Sequence, residues 1–217
     1  MFGVFCFRKL NAISSIFVLQ LFISCMGAAS QLTLANDGSG SIMLEYRISA
    51  ELESFGRLDG NQYQPPVPAS RNDFERSIAR IMGMDLVSYA SRQDGNDIVY
   101  RAELAFSSPE ALSAFFDSSG RQFRIDFPGR KLIISFTEAE TIDTAFKEFA
   151  GGILQGYEFS VSFTVPGTAR TEWIDRDGGI VSRFPGVCLV SGATVQYTVP
   201  MADLVFLESP LFLEISW

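Results

Sequence analysis

SIMLEYRISAELESF, residues 41–55, alternates without a break from Leu44 to Glu53. Ile42, Leu44, Tyr46, Ile48, Ala50 and Leu52 take one set of positions, and Glu45, Arg47, Ser49, Glu51 and Glu53 take the other. A period of two throws successive side chains to opposite faces, so the stretch predicts a long strand with one face on a core and one in water. Sheets with one wet face are antiparallel, because parallel sheets are covered on both sides.

Working outward from that strand, the same pattern recurs. Residues 56–69, with Pro65, Pro66 and Pro68, can neither pair nor coil and predict an exposed loop. Ser70 with Asp73 three residues on makes a capping-box-like start, and Phe74, Ile78, Ile81 and Met82 follow at helical spacing to about Gly83. Residues 85–92 and 97–106 read as a hairpin around Asp94-Gly95-Asn96, with Ile98, Tyr100, Ala102, Leu104 and Phe106 inward. Ser108-Pro109 opens a second helix carrying Leu112, Phe115 and Phe116, with proline in its favoured first-turn position. A hairpin through Pro128-Gly129 joins residues 122–127 to 131–137. A third helix, about 141–150, presents Ile142, Ala145, Phe146 and Phe149 and stops at Gly151-Gly152. Beyond it strands dominate: 157–165, 170–175, 179–184, 193–199 and 211–217, with a helical turn at 201–207. The expected fold is α+β, a largely antiparallel sheet with three amphipathic helices packed on one face. Residues 41–217 read as one domain, and any subdivision falls near 151–157.

The N-terminus reads as an export signal. Arg8 and Lys9 supply its positive region, and residues 10–23 follow without a charge. Phe22-Ile23-Ser24-Cys25 then has the form of a lipobox, with Cys25 as the residue that receives lipid. This reading makes 1–24 a lipoprotein signal peptide and 25–40 a flexible tether. Two others stay open: cleavage at Gly27-Ala28-Ala29 by an ordinary signal peptidase, or retention of residues 10–36 as a membrane span. The lipid-anchored reading places the protein in the cell envelope, on a membrane facing the periplasm.

Composition removes whole classes of chemistry. Of the 17 basic residues Arg8 and Lys9 leave with the signal, so the remainder carries 15 against 25 acidic ones, a net −10 that disfavours nucleic acid as a partner. The chain has no histidine, which excludes Ser-His-Asp and Cys-His nucleophiles and histidine-based zinc sites. With Cys6 in the signal and Cys25 acylated, Cys188 stands alone, and a cysteine between Val187 and Leu189 reads as a small buried hydrophobe. Asp175-Arg176-Asp177-Gly178-Gly179 has the opening spacing of a calcium loop. It lacks the oxygen ligand where Gly179 stands and the bidentate glutamate where Gly186 stands, so it reads as a hairpin turn. No nucleotide or nucleophile-elbow motif is present. We expect no enzyme activity, no metal and no cofactor.

What remains is aromatic content on helix faces. Phe74, Phe115, Phe116, Phe146 and Phe149 are candidates either for a solid core or for the wall of an apolar cavity. The expected function is therefore binding: of a lipid or other apolar ligand, or alternatively of another envelope protein through the 56–69 loop or an exposed strand edge. The membrane is a partner through the anchor.

Val161-Ser162-Phe163-Thr164-Val165-Pro166-Gly167, followed by Ser191-Gly192-Ala193-Thr194-Val195-Gln196-Tyr197, resembles the LppM-like domain of bacterial envelope lipoproteins. The resemblance implies an envelope-associated α+β domain with lipid association, and it brings no catalytic residues.

Overall fold

The computed structural model describes residues 28–49, 68, 70–116, 123–136, 157–205, 207 and 209–217. Its first two strands, β1 (Ala28–Leu34) and β2 (Gly40–Ser49), form a hairpin in which Ala35 N–H donates to Ser39 O at 2.7 Å. β1 corrects the expectation of a tether over 25–40. Leu32 and Leu34 are buried while Gln31 and Thr33 are exposed, so the alternation of residues 41–55 begins earlier than expected. β2 has the expected phase, with Ile42, Tyr46 and Ile48 buried; Ala50 and Leu52 lie outside the described residues.

Helix α1 (Arg71–Ile78) starts where expected. Ser70 is extended (φ −146°), its hydroxyl oxygen accepts from Asp73 N–H, and Arg76 pairs with Asp73. It ends earlier than its spacing suggested: the chain turns away at Gly83 (φ +84°) and leaves Met82 93% exposed. Ser70→Ala is expected to lower unfolding stability by about 1 kcal/mol, read as a urea midpoint shift with unchanged slope.

The hairpin β3 (Met84–Asp94) and β4 (Asp97–Phe106) follows, and all five residues expected to face inward on β4 share the face of Ile42 and Tyr46. A bulge between Leu86 and Ser88 resets the phase of β3, so Met84 and Leu86 are followed on that face by Tyr89. Helix α2 (Pro109–Phe116) is capped by Ser108 Oγ accepting from Ala111 N–H. β5 (Phe123–Asp126) and β6 (Lys131–Ser135) close around Arg130, which holds φ +53°. The rest is β7 (Glu158–Thr164), β8 (Arg170–Asp175), β9 (Val187–Ser191), β10 (Thr194–Pro200), the short helix α3 (Met201–Val205) and β11 (Leu211–Ser216).

These strands make two sheets. The larger has the order β3-β4-β2-β1-β7-β10-β9 and the smaller β5-β6-β11-β8. Every pair is antiparallel except β1 with β7. Each sheet draws strands from both sides of residues 151–157, so a division there would cut both.

The α+β class and the predominance of antiparallel strands stand, but the cover differs from expectation. Among the described residues the three helices are short and meet different strands: α1 lies against β3, α2 against β5 and β4, and α3 against β10. The third expected helix, 141–150, lies outside the described residues. The inner face of the larger sheet is also met by a second sheet. Leu213, Ile215, Leu132 and Trp173 of the smaller sheet join Ile42, Leu104, Val195 and Tyr197 of the larger in one apolar core. Two sheets packed face to face leave about 10 Å between them, a gap that aromatic side chains fill. Trp217 packs partly buried against that core, near the ring of Phe127.

Candidate functional site

Of the five phenylalanines singled out above, three lie among the described residues, Phe74 on α1 and Phe115 and Phe116 on α2. Phe74 is 1% exposed, with its ring 6.5 Å from Tyr46 and 5.8 Å from Tyr89, so it is core and not a wall open to a ligand. Phe115 and Phe116 form an edge-on pair, and Phe116 reaches Phe123 at 4.7 Å, which ties α2 to β5. Phe146, Phe149 and Cys25 lie outside the described residues.

The structure gathers a different aromatic group between the sheets. Trp173 of β8 lies 5.0 Å from Tyr197 of β10 and 5.5 Å from Phe136, and Phe136 lies 5.1 Å from Tyr197. Phe184 stacks on the indole at 4.4 Å and 17°. The segment bearing Phe184 is held by its neighbours: Tyr197 Oη–H donates to Pro185 O at 2.9 Å, and Val181 N–H donates to Trp173 O at 2.7 Å. Burial pushes the Tyr197 hydroxyl above its ordinary pKa, which keeps it a neutral donor. The indole Nε1–H of Trp173 is buried with no hydrogen-bond partner among the described residues. An N–H left in that state costs about 1–3 kcal/mol, so it is a group a ligand or partner could satisfy.

Beside this cluster runs β9, a strand the sequence reading left out. Among the described residues it is the last strand of the larger sheet and pairs on one side only, with β10. Its register places Cys188 opposite Tyr197 and Val190 opposite Val195, on the inner face, and Val187 and Leu189 on the outer face. Val187, Leu189 and Val190 are 57%, 60% and 44% exposed. With Ile180 they make four of the six large apolar side chains that are exposed among the described residues.

The other three sheet edges carry devices that discourage further pairing. β3 has its bulge and the charges of Asp85, Arg92 and Asp94, with Asp94 ion-paired to Arg47 at 3.1 Å. β5 is four residues long and carries Arg124 and Asp126. β8 is partly covered by its own chain, through the Ile174–Ile180 bridge. β9, Val-Cys-Leu-Val-Ser, has no charge, no proline and no bulge. A strand apolar on both faces is the composition of a central strand, one with a neighbour on each side.

Two groups of possible reactivity lie near this edge, Cys188 and Asp175. Burial pushes the Cys188 thiol above its usual pKa, opposed by a hydrogen bond with Thr171, so little nucleophilic thiolate forms at neutral pH. The Asp175 carboxylate is spent on its own turn, where Oδ1 accepts from Asp177 N–H at 3.0 Å and Gly179 N–H at 2.7 Å. That arrangement is a hairpin turn, as its sequence suggested. Among the described residues no cluster of three or more metal-ligating side chains occurs, and no helix is long and apolar enough to cross a membrane.

No protein family and no curated relative matches the chain. Among solved structures it is similar to the folded domain of LppM from Mycobacterium tuberculosis, determined by NMR, at 11% identity and a TM-score of 0.39 over 88% of this chain and 90% of that one.

Proposed function

We propose that the chain is a non-enzymatic cell-envelope protein, held by lipid at Cys25 on a membrane facing the periplasm, whose α+β domain serves assembly by docking a polypeptide strand along β9. The observation that carries the docking role is the open, uncharged β9 edge with apolar side chains exposed on both faces. Strand addition at such an edge draws affinity from main-chain hydrogen bonds and specificity from alternate side chains. The lipobox supplies the location. β1 begins three residues after Cys25, a reach of at most ~10 Å, so an acylated chain holds its larger sheet close to the bilayer.

The test compares Leu189→Cys with Val87→Cys, an exposed position on the opposite edge. The full chain is labelled with a bulky maleimide, in envelope membranes and after purification in detergent. Docking predicts that position 189 labels at least ten times more slowly in the envelope and position 87 equally in both. Equal rates for both positions in both settings would sink the docking role.

A second reading, binding of a lipid or other apolar ligand, is favoured by the unpartnered Trp173 Nε1–H among aromatic rings. Solvent extraction of the purified full chain followed by mass spectrometry decides it. A non-covalent lipid at one per chain supports the reading, and an empty protein removes it.

A further inference from the structure

The occupant of β9 can be narrowed from the strand's own hydrogen-bond phase. β9 and β10 are joined by two residues, Gly192 and Ala193, with Ser191 opposite Thr194. In a two-residue hairpin the pair flanking the turn exchanges both backbone hydrogen bonds, and bonded and non-bonded pairs alternate from there. Ser191, Leu189 and Val187 therefore turn their N–H and C=O groups toward β10. Cys188 and Val190 turn theirs toward the open edge, one on each side of Leu189.

That spacing complements itself. An identical strand laid antiparallel about Leu189 sets Cys188 of each copy opposite Val190 of the other, with four backbone hydrogen bonds between them. Leu189 then meets its own counterpart in a non-bonded site, where Cα atoms are about 4.5 Å apart and side chains touch. Two anchored chains of net charge −10, once Arg8 and Lys9 have left with the signal, repel in general, yet this pairing opposes no like charges, since β9 and its outer-face neighbours Gln196 and Thr198 on β10 are all uncharged. A bilayer is a poorer occupant, because open backbone N–H and C=O groups find no partner in hydrocarbon.

We propose that β9 pairs antiparallel with β9 of a second copy about a two-fold axis through Leu189, joining the two seven-stranded sheets into one. This rests on the docking role given to β9 above and names its partner. Five paired residues span about 17 Å. They cover less than the roughly 800 Å² per partner of a standard interface, so the dimer depends on concentration. Confinement of anchored copies to a membrane surface supplies that concentration.

The experiment is disulfide trapping of the full chain in membranes, in a Cys188→Ser background, with Leu189→Cys, Val87→Cys or no added cysteine. A tagged synthetic peptide of residues 186–192, bearing cysteine at 189 and serine at 188, serves as a probe. Self-pairing predicts a covalent dimer at least ten times more abundant for Leu189→Cys than for the other two. It also predicts that Leu189→Lys, which sets two like charges face to face, abolishes dimers of the purified full chain in sedimentation velocity. Leu189 is 60% exposed, so neither variant threatens the fold, and circular dichroism checks this. If Leu189→Cys traps the peptide but no second chain, β9 accepts a strand and the second copy is overturned. If it traps neither, the docking role falls as well.

Discussion

Gly40→Ala is expected to lower stability by about 3 kcal/mol or more, an unusually large cost for adding one methyl group. A Cβ at Gly40 would stand 2.0 Å from the Thr33 carbonyl oxygen and 2.5 Å from Cζ of Phe106. The carbonyl belongs to β1 and Phe106 is fully packed in the core, so neither can yield without shifting a strand. Gly95→Ala is the matched control. Gly95 holds φ +64° in the β3–β4 turn, but its added Cβ meets nothing within 4 Å. That variant should cost only the left-handed penalty of about 1–2 kcal/mol. Urea titration of both, read at constant slope, measures the difference. Equal costs would mean that the β1–β2 hairpin does not approach Phe106 as described.

The second large effect concerns Trp173. Trp173→Ala should cost about 3–5 kcal/mol, because it empties the space between the sheets and releases the stacked Phe184. Trp173→Phe should cost under about 1 kcal/mol. It keeps a ring in place, and it removes a buried N–H whose missing partner already penalises the fold. Equilibrium unfolding of both variants distinguishes these outcomes. A Trp173→Phe cost above about 2 kcal/mol would reveal an acceptor for the indole, and the ligand reading would gain by it.

Individual strands were largely legible in the sequence, and their partners were not. Period-two alternation announces which face of β2, β4, β7 and β11 is buried, because the side-chain phase is local to each strand. It carries no record of neighbours, so the parallel β1–β7 pair and the second sheet were invisible to it. β1 escaped because small uncharged residues precede Leu32 and Leu34 and look like a tether. Residues 179–184 were expected to be a strand, yet beyond the single bridge at Ile180 the chain there is irregular. Phe184 is held by stacking on one indole, and no ladder is needed.

The candidate site was legible least of all. No strand is expected over residues 187–191 from sequence, and the exposure of Val187, Leu189 and Val190 follows from β9 being last in its sheet among the described residues. Phe74 stood between two readings, core or ligand wall, and helical spacing alone does not separate them; its burial and its contacts with Tyr46 and Tyr89 place it in the core.

The parallel pairing of β1 with β7 also dictates a calendar. A chain threaded out N-terminus first presents β1, β2, β3 and β4 early, and these can close as a local meander. The opposite flank of β1 must wait until residues 158–164 emerge, more than a hundred positions later. Contacts so distant in sequence form slowly, because loop-closure entropy is lost before any contact rewards it. During that interval β1 is itself an unguarded border, open to the same kind of intruder that the proposed role of β9 would admit in the finished molecule. Whatever shields nascent β1 would therefore govern the yield of this protein more than the intrinsic stability of its completed core.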